Sequence, residues 1–154
     1  MNFQKLIIEQ LSDSCLHFKT GGPFGAVVIK DNKIVGKGVN KVIAKHDPTA
    51  HAEIEAIRDA CINLKTHDLT GCELYATGFP CPMCMSAIIW ADIKKVYYSC
   101  DYKDAEEIGF RDQFIFDFIK NDCRDHSILT FVKVEDEDIK TIYKKWQQFN
   151  NQKY

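Results

Sequence analysis

The chain has little of what several function classes require. Across 154 residues there are three arginines, Arg58, Arg111 and Arg124, and 20 basic side chains stand against 22 acidic ones. A net charge of −2 offers little to a phosphate backbone, so nucleic acid is not expected as a partner. No segment approaches the ~20 consecutive apolar residues of a membrane span, so no membrane is expected either. The opening residues carry Lys5 and Glu9 within an amphipathic pattern and no long apolar core, which reads as cytoplasmic rather than secreted. Linkers, internal repeats and low-complexity stretches are missing, and the length suits one domain over residues 1–154. Cysteine is present in an odd number, seven, without the spacing of a disulfide framework. Five of them, Cys15, Cys61, Cys72, Cys100 and Cys123, read as small apolar core residues.

The other two cysteines belong to a split signature. His51-Ala52-Glu53 is followed, after 26 residues, by Pro80-Cys81-Pro82-Met83-Cys84. Zinc takes imidazole and thiolate ligands, and three of them leave a fourth position open for water. His51, Cys81 and Cys84 are the three candidates for one Zn2+ per subunit. Glu53, two residues beyond a ligand, is placed to move protons without binding the metal. H-x-E with P-C-x-x-C is a known mark of zinc nucleobase deaminases. A closed structural zinc site would need a fourth donor, for which Cys72, Cys100, His46 and His67 are the candidates.

The flanking pattern places these residues on helix starts. Asp47-Pro48 ahead of Ile54, Ile57, Cys61 and Leu64 reads as an N-cap with proline at the first helical position. Cys81 precedes Pro82 and the run Met85, Ile88 and Ile89, and cysteines at i and i+3 share a helical face. Elsewhere, Phe3, Leu6, Ile7, Leu11, Cys15 and Phe18 fall on one face and predict a helix over most of 2–19, ended by Gly21-Gly22-Pro23. Runs 24–30 and 33–40 around Asp31-Asn32 predict a hairpin. Strands at 73–77 and 96–98 follow the two motif helices, so the later part of the sheet is expected to be parallel and covered by helices. Short helical pieces at 104–109 and 114–120, a fifth strand at 128–134, and a final helix carrying Ile139, Ile142, Tyr143, Trp146 and Phe149 complete the expectation of an α/β chain.

These pieces resemble the cytidine deaminase-like superfamily, and within it the bacterial guanine deaminases. The resemblance runs through GGPFGAVVIKD (21–31), HDPTAHAEIEAIR (46–58), PCPMCMSAIIWA (80–91), DAEEIGFRD (104–112) and the terminal tyrosine. It implies a three-layer α/β/α fold with a five-stranded mixed sheet flanked by helices. It also implies a base pocket in which Phe24 packs on the purine and Asn40 hydrogen-bonds it, with Ala52, Trp90 and Tyr154 completing the substrate contacts. Asp112 would be a second proton carrier beside Glu53. The implied partner assembly is a homodimer that exchanges its C-terminal segment, about 136–154. The implied reaction is hydrolysis of a free purine base, guanine to xanthine and ammonia, with water activated by zinc. One departure is visible: Phe79 precedes Pro80-Cys81 where such relatives usually carry glutamate, so the pocket rim is expected to differ. Alternatives are a tRNA adenosine deaminase, a deaminase of another free base such as cytosine or adenine, and a zinc-stabilised interaction module without turnover.

Overall fold

A computed structural model describes residues 2–149 and Lys153, with the side chain of Cys15 excepted. Tyr154, expected at the substrate, lies outside the described residues. The chain forms two compact units, one ending at Phe114 and one beginning at Ile115.

The first unit opens with α1 (Phe3–Leu11), capped by the Asn2 side chain, which accepts the Lys5 N–H at 3.1 Å. The expected long helix does not continue unchanged. From Ser12 to His17 the backbone widens into a π-helical turn, which shifts the apolar face, and Leu16 and Phe18 are exposed. Next come β1 (Gly25–Lys30) and β2 (Lys33–Val39), joined by Asp31 and Asn32, both with positive φ as a two-residue hairpin turn demands. A four-residue helix, α2 (Val42–Lys45), follows; it is too short for any apolar period to announce it. Helix α3 (Ala52–Leu64) begins at His51 and not at Pro48. The Asp47 carboxylate is engaged in a turn instead, accepting the Thr49 N–H at 2.8 Å and its hydroxyl at 2.7 Å. Then β3 (Glu73–Gly78), α4 (Pro82–Trp90), β4 (Val96–Cys100) and α5 (Tyr102–Glu107) complete the unit.

The sheet order is β2-β1-β3-β4, with β1 antiparallel to both β2 and β3 and β4 parallel to β3. It has four strands among the described residues, not five. Residues 128–134 carry a strand-like sequence but form no ladder, and strand propensity without a paired neighbour does not make a strand. The layers are as expected. On one face, Ile7 with Phe3, Leu6 and Leu11 of α1 covers Val27 and Ile29. On the other, α3 and α4 bring Ala52, Ala56, Ala60 and Ile88 against Ala26, Val28, Leu74 and Ala76. Gly36 and Gly38 let α3 lie close on β2: a methyl group on Gly38 would stand 2.2 Å from the Ala52 carbonyl oxygen.

The second unit holds most of α6 (Gln113–Lys120) and α7 (Glu137–Gln148). Phe118 is buried and stacks near Phe131, with ring centres 6.4 Å apart. Helix α7 is capped by Asp136 and leaves Ile139, Ile142, Tyr143 and Trp146 exposed. No described helix is long and apolar enough to cross a membrane. Of the remaining described cysteines, only Cys72 is buried; Cys61 and Cys123 are half-buried, and Cys100 is exposed at the end of β4.

Candidate active site and metal centre

Two helix starts meet at the carboxyl end of the sheet. His51 is the N-cap residue of α3, with extended backbone, and Cys81 is the N-cap of α4, with Pro82 at the first helical position. His51 Nδ1 lies 3.6 Å from Cys81 Sγ and 3.6 Å from Cys84 Sγ. Tetrahedral zinc with bonds of about 2.3 Å to sulfur and 2.0–2.1 Å to nitrogen requires a nitrogen–sulfur separation of about 3.6 Å. The three side chains therefore fit the metal, and they form a triad that could hold an ion.

The electrostatics lead to the same ion. A hydrogen bond from Cys84, then those from His51 and the Cys84 backbone N–H, pull the Cys81 thiol down to about 4. Cys84, donating to Cys81 and buried, is pushed up. Without a cation only one of these thiols ionises; zinc is the partner that lets both be thiolates. The hydrogen bond to Cys81 raises His51.

Glu53, on the first turn of α3, brings Oε2 within 3.4 Å of Cys84 Sγ. Burial, the largest influence, raises its carboxyl above the ordinary value, and the Cys81 charge adds to this. Two residues on, Glu55 is just as buried but accepts hydrogen bonds from Lys45 Nζ at 2.6 Å and Arg58 at 3.0 Å. Burial opposes its ionisation, yet these cations outweigh it and hold the carboxyl below its ordinary value.

Above the triad opens a cavity of about 490 Å3 whose lining includes Phe24, Asn40, His51, Glu53, Cys81 and Asp112. Phe24 meets Phe110 edge-on at 4.9 Å, and Phe79 meets Tyr98 edge-on at 5.1 Å, so aromatic rings frame the opening. Phe79 lines the cavity, as its rim position implies. Asn40 is buried and fixed from three sides: its N–H bonds the Phe24 carbonyl at 2.9 Å, Thr20 donates to its carbonyl at 3.0 Å, and its Oδ1 accepts the Val42 N–H at 3.2 Å. Burial, then the Cys81 charge, raise Asp112. Among the described residues, no lysine or arginine lines this cavity.

Two expected substrate residues stand elsewhere. Ala52 is fully buried in the core at the start of α3, and Trp90, the last residue of α4, is two-thirds exposed at 66%; neither is among the lining residues. Conversely, Val42, Ile43, Pro48, Ala105 and Phe110 line the cavity and were not anticipated. Phe110 had a signal, two residues from Asp112 in the same motif; Val42 and Ile43 sit on the short α2, which had none.

An α/β sheet carrying His, Cys and Cys at two helix starts, with a buried glutamate beside them, defines a zinc deaminase centre. The family described as the cytidine and deoxycytidylate deaminase zinc-binding region matches residues 2–100, and the chain belongs to it. The chain is 39% identical to the guanine deaminase of Bacillus subtilis (strain 168) over 99% of both sequences. The crystal structure of the Bacillus subtilis guanine deaminase superposes with a TM-score of 0.87, covering 100% of this chain and 99% of that one at 39% identity. A tRNA-specific adenosine deaminase of Buchnera aphidicola is 41% identical over 64% of this chain and 66% of its own length. A solved chain in complex with 2,6-diaminopurine matches at 32% identity over 70% of this chain and 60% of its own, with a TM-score of 0.64.

Proposed function

We propose that the chain is a zinc-dependent guanine deaminase that hydrolyses guanine to xanthine and ammonia. The observation that carries this reading is the juxtaposition of the His51, Cys81 and Cys84 triad and Glu53 with an aromatic cavity containing Asn40 and Asp112 but, among the described residues, no lysine or arginine. Such a cavity suits a flat, uncharged base and has nothing to pair with a phosphate, which disfavours nucleotides and an RNA backbone. The full-length likeness to a guanine deaminase supports the same choice, while the likeness to the tRNA enzyme is partial.

Zinc on His51, Cys81 and Cys84 would supply a Lewis acid that lowers the pKa of a water toward neutrality. The chain's own residues do the rest. Phe24 offers its ring to the purine, and Asn40 hydrogen-bonds the base edge. Glu53 takes the proton of the attacking water and passes it to the ring nitrogen beside carbon 2. A carbon–oxygen bond forms at carbon 2, and the bond to the exocyclic nitrogen breaks. Asp112, held above its ordinary carboxylate value, is the second proton carrier and helps the amine leave as ammonia. The same reading includes Tyr154 as a base contact, a homodimer with the C-terminal segment exchanged, a cytoplasmic location and a role in purine metabolism. The exposed apolar face of α7, with Ile139, Ile142, Tyr143 and Trp146, supports pairing with a second copy.

The test is ammonia release from guanine, adenine, cytosine, cytidine and guanosine. Turnover of guanine alone is expected; selective turnover of another base would overturn the substrate and leave the centre in place.

A further inference from the structure

Gly21 has no conformational need to be glycine. The glycines with positive φ among the described residues are Gly71 and Gly109, where the backbone itself excludes a side chain. What Gly21 accommodates is the Asn40 carboxamide. A methyl group on Gly21 would lie 2.0 Å from Asn40 Oδ1, 3.0 Å from its Cγ and 3.0 Å from its carbonyl oxygen. Both residues line the cavity. The carboxamide cannot simply retreat, because its Oδ1 is already engaged by the Val42 N–H and its main chain is held by Phe24 and Thr20.

That arrangement has a chemical direction. One lone pair of the carboxamide oxygen is engaged by the Val42 N–H, which orients the group and presents the Nδ2 amide, a donor only, to a ligand. A donor fixed in place pairs with a base edge that carries acceptors, such as the oxo group of a 6-oxopurine. It faces the exocyclic amine of a 6-aminopurine donor against donor.

We propose that Gly21 is a specificity-determining positioning residue: by leaving no Cβ under Asn40, it holds the carboxamide with its amide toward the base, so the site prefers 6-oxopurines to 6-aminopurines. This rests on the guanine reading above and adds to it the residue that sets the discriminating donor. Gly21 acts through Asn40 and takes no part in the proton transfers.

The test compares binding of 8-azaguanine and 2,6-diaminopurine to zinc-loaded wild type, Gly21→Ala, Asn40→Ala, Asn40→Asp and the Gly21→Ala/Asn40→Ala double variant, with zinc content measured for each. Wild type is expected to favour 8-azaguanine by about tenfold or more, the scale of one fixed hydrogen bond set against an unpaired one. Gly21→Ala should reduce that ratio to within about threefold of unity at unchanged zinc content, and Asn40→Asp should invert it. In the Asn40→Ala background, where the 2.0 Å collision with Oδ1 is gone and only the 3.0 Å approach to the carbonyl oxygen of residue 40 remains, Gly21→Ala should change neither affinity by more than about twofold. A Gly21→Ala protein that keeps the wild-type ratio, or weakens both ligands equally, overturns the inference. Should Gly21→Ala fail to fold, a folded double variant supports the collision with Asn40, and an unfolded one overturns it. A wild type that binds neither purine overturns the guanine reading and the inference with it; a wild type that binds both without preference overturns the inference alone.

Discussion

Glu53 and Glu55 are equally buried, two residues apart on α3, and their surroundings drive their carboxyl groups in opposite directions. Glu53 faces Cys84 with no cation bonded to it among the described residues, whereas Glu55 gathers Lys45, Arg58 and, at 3.9 Å, Lys41. Pairs of acids pushed apart in this way divide the work of a site: one exchanges protons, the other stays ionised and holds structure.

For Glu53 the expected outcome of Glu53→Gln is retention of zinc and loss of about 100- to 10,000-fold in kcat, the contribution of general acid–base catalysis. Glutamine keeps the shape and cannot accept the proton. Metal analysis beside steady-state rates on guanine checks it, and near-full turnover would remove Glu53 from the chemistry.

Glu55→Gln should cost stability. Breaking a buried ion pair costs about 3–5 kcal/mol; with Lys45 and Arg58 nearly half exposed, about 1–3 kcal/mol is expected here. The pH sign follows from the depressed folded-state value. Glu55 contributes stability that is fully present above the unfolded carboxylate value, about 4.3, and is lost as pH falls through its lower folded value. Urea unfolding from pH 7 down to pH 3.5 should therefore show wild type and Glu55→Gln converging at the acid end; a constant gap would contradict this.

Gly38→Ala tests how the fold positions the centre. Its methyl group would meet the Ala52 carbonyl oxygen at 2.2 Å and the Ala56 nitrogen at 2.5 Å, backbone atoms of the helix that begins at His51. Overpacking of about 1–3 kcal/mol is expected, with weaker zinc retention in competition with a chelator because His51 and Glu53 move with the helix. Unaltered zinc retention would uncouple the sheet contact from the centre.

Much of this arrangement was legible in the sequence because its signals are local. Asp31-Asn32 marks the hairpin, and Cys81-Pro82 marks a helix start in the residues themselves. Phe24, Asn40 and Asp112 line the cavity, and Ala52 and Trp90 do not. Two misses are local: the helix after Leu11 changes its winding, and Asp47 bonds Thr49 in a turn where a cap was expected. Another depends on distant partners: residues 128–134 have strand composition without a paired edge. The role of Glu55 was invisible for the same reason: a lone acid on a helix shows nothing of the cations that folding brings to it.

The most direct measurement follows guanine conversion to xanthine by the protein as purified, after removal of metal by chelation, and after restoration with one equivalent of zinc. The account predicts turnover that vanishes on chelation and returns with zinc at one ion per chain. Turnover that survives removal of the metal, or a zinc-loaded protein that leaves guanine untouched, would contradict it.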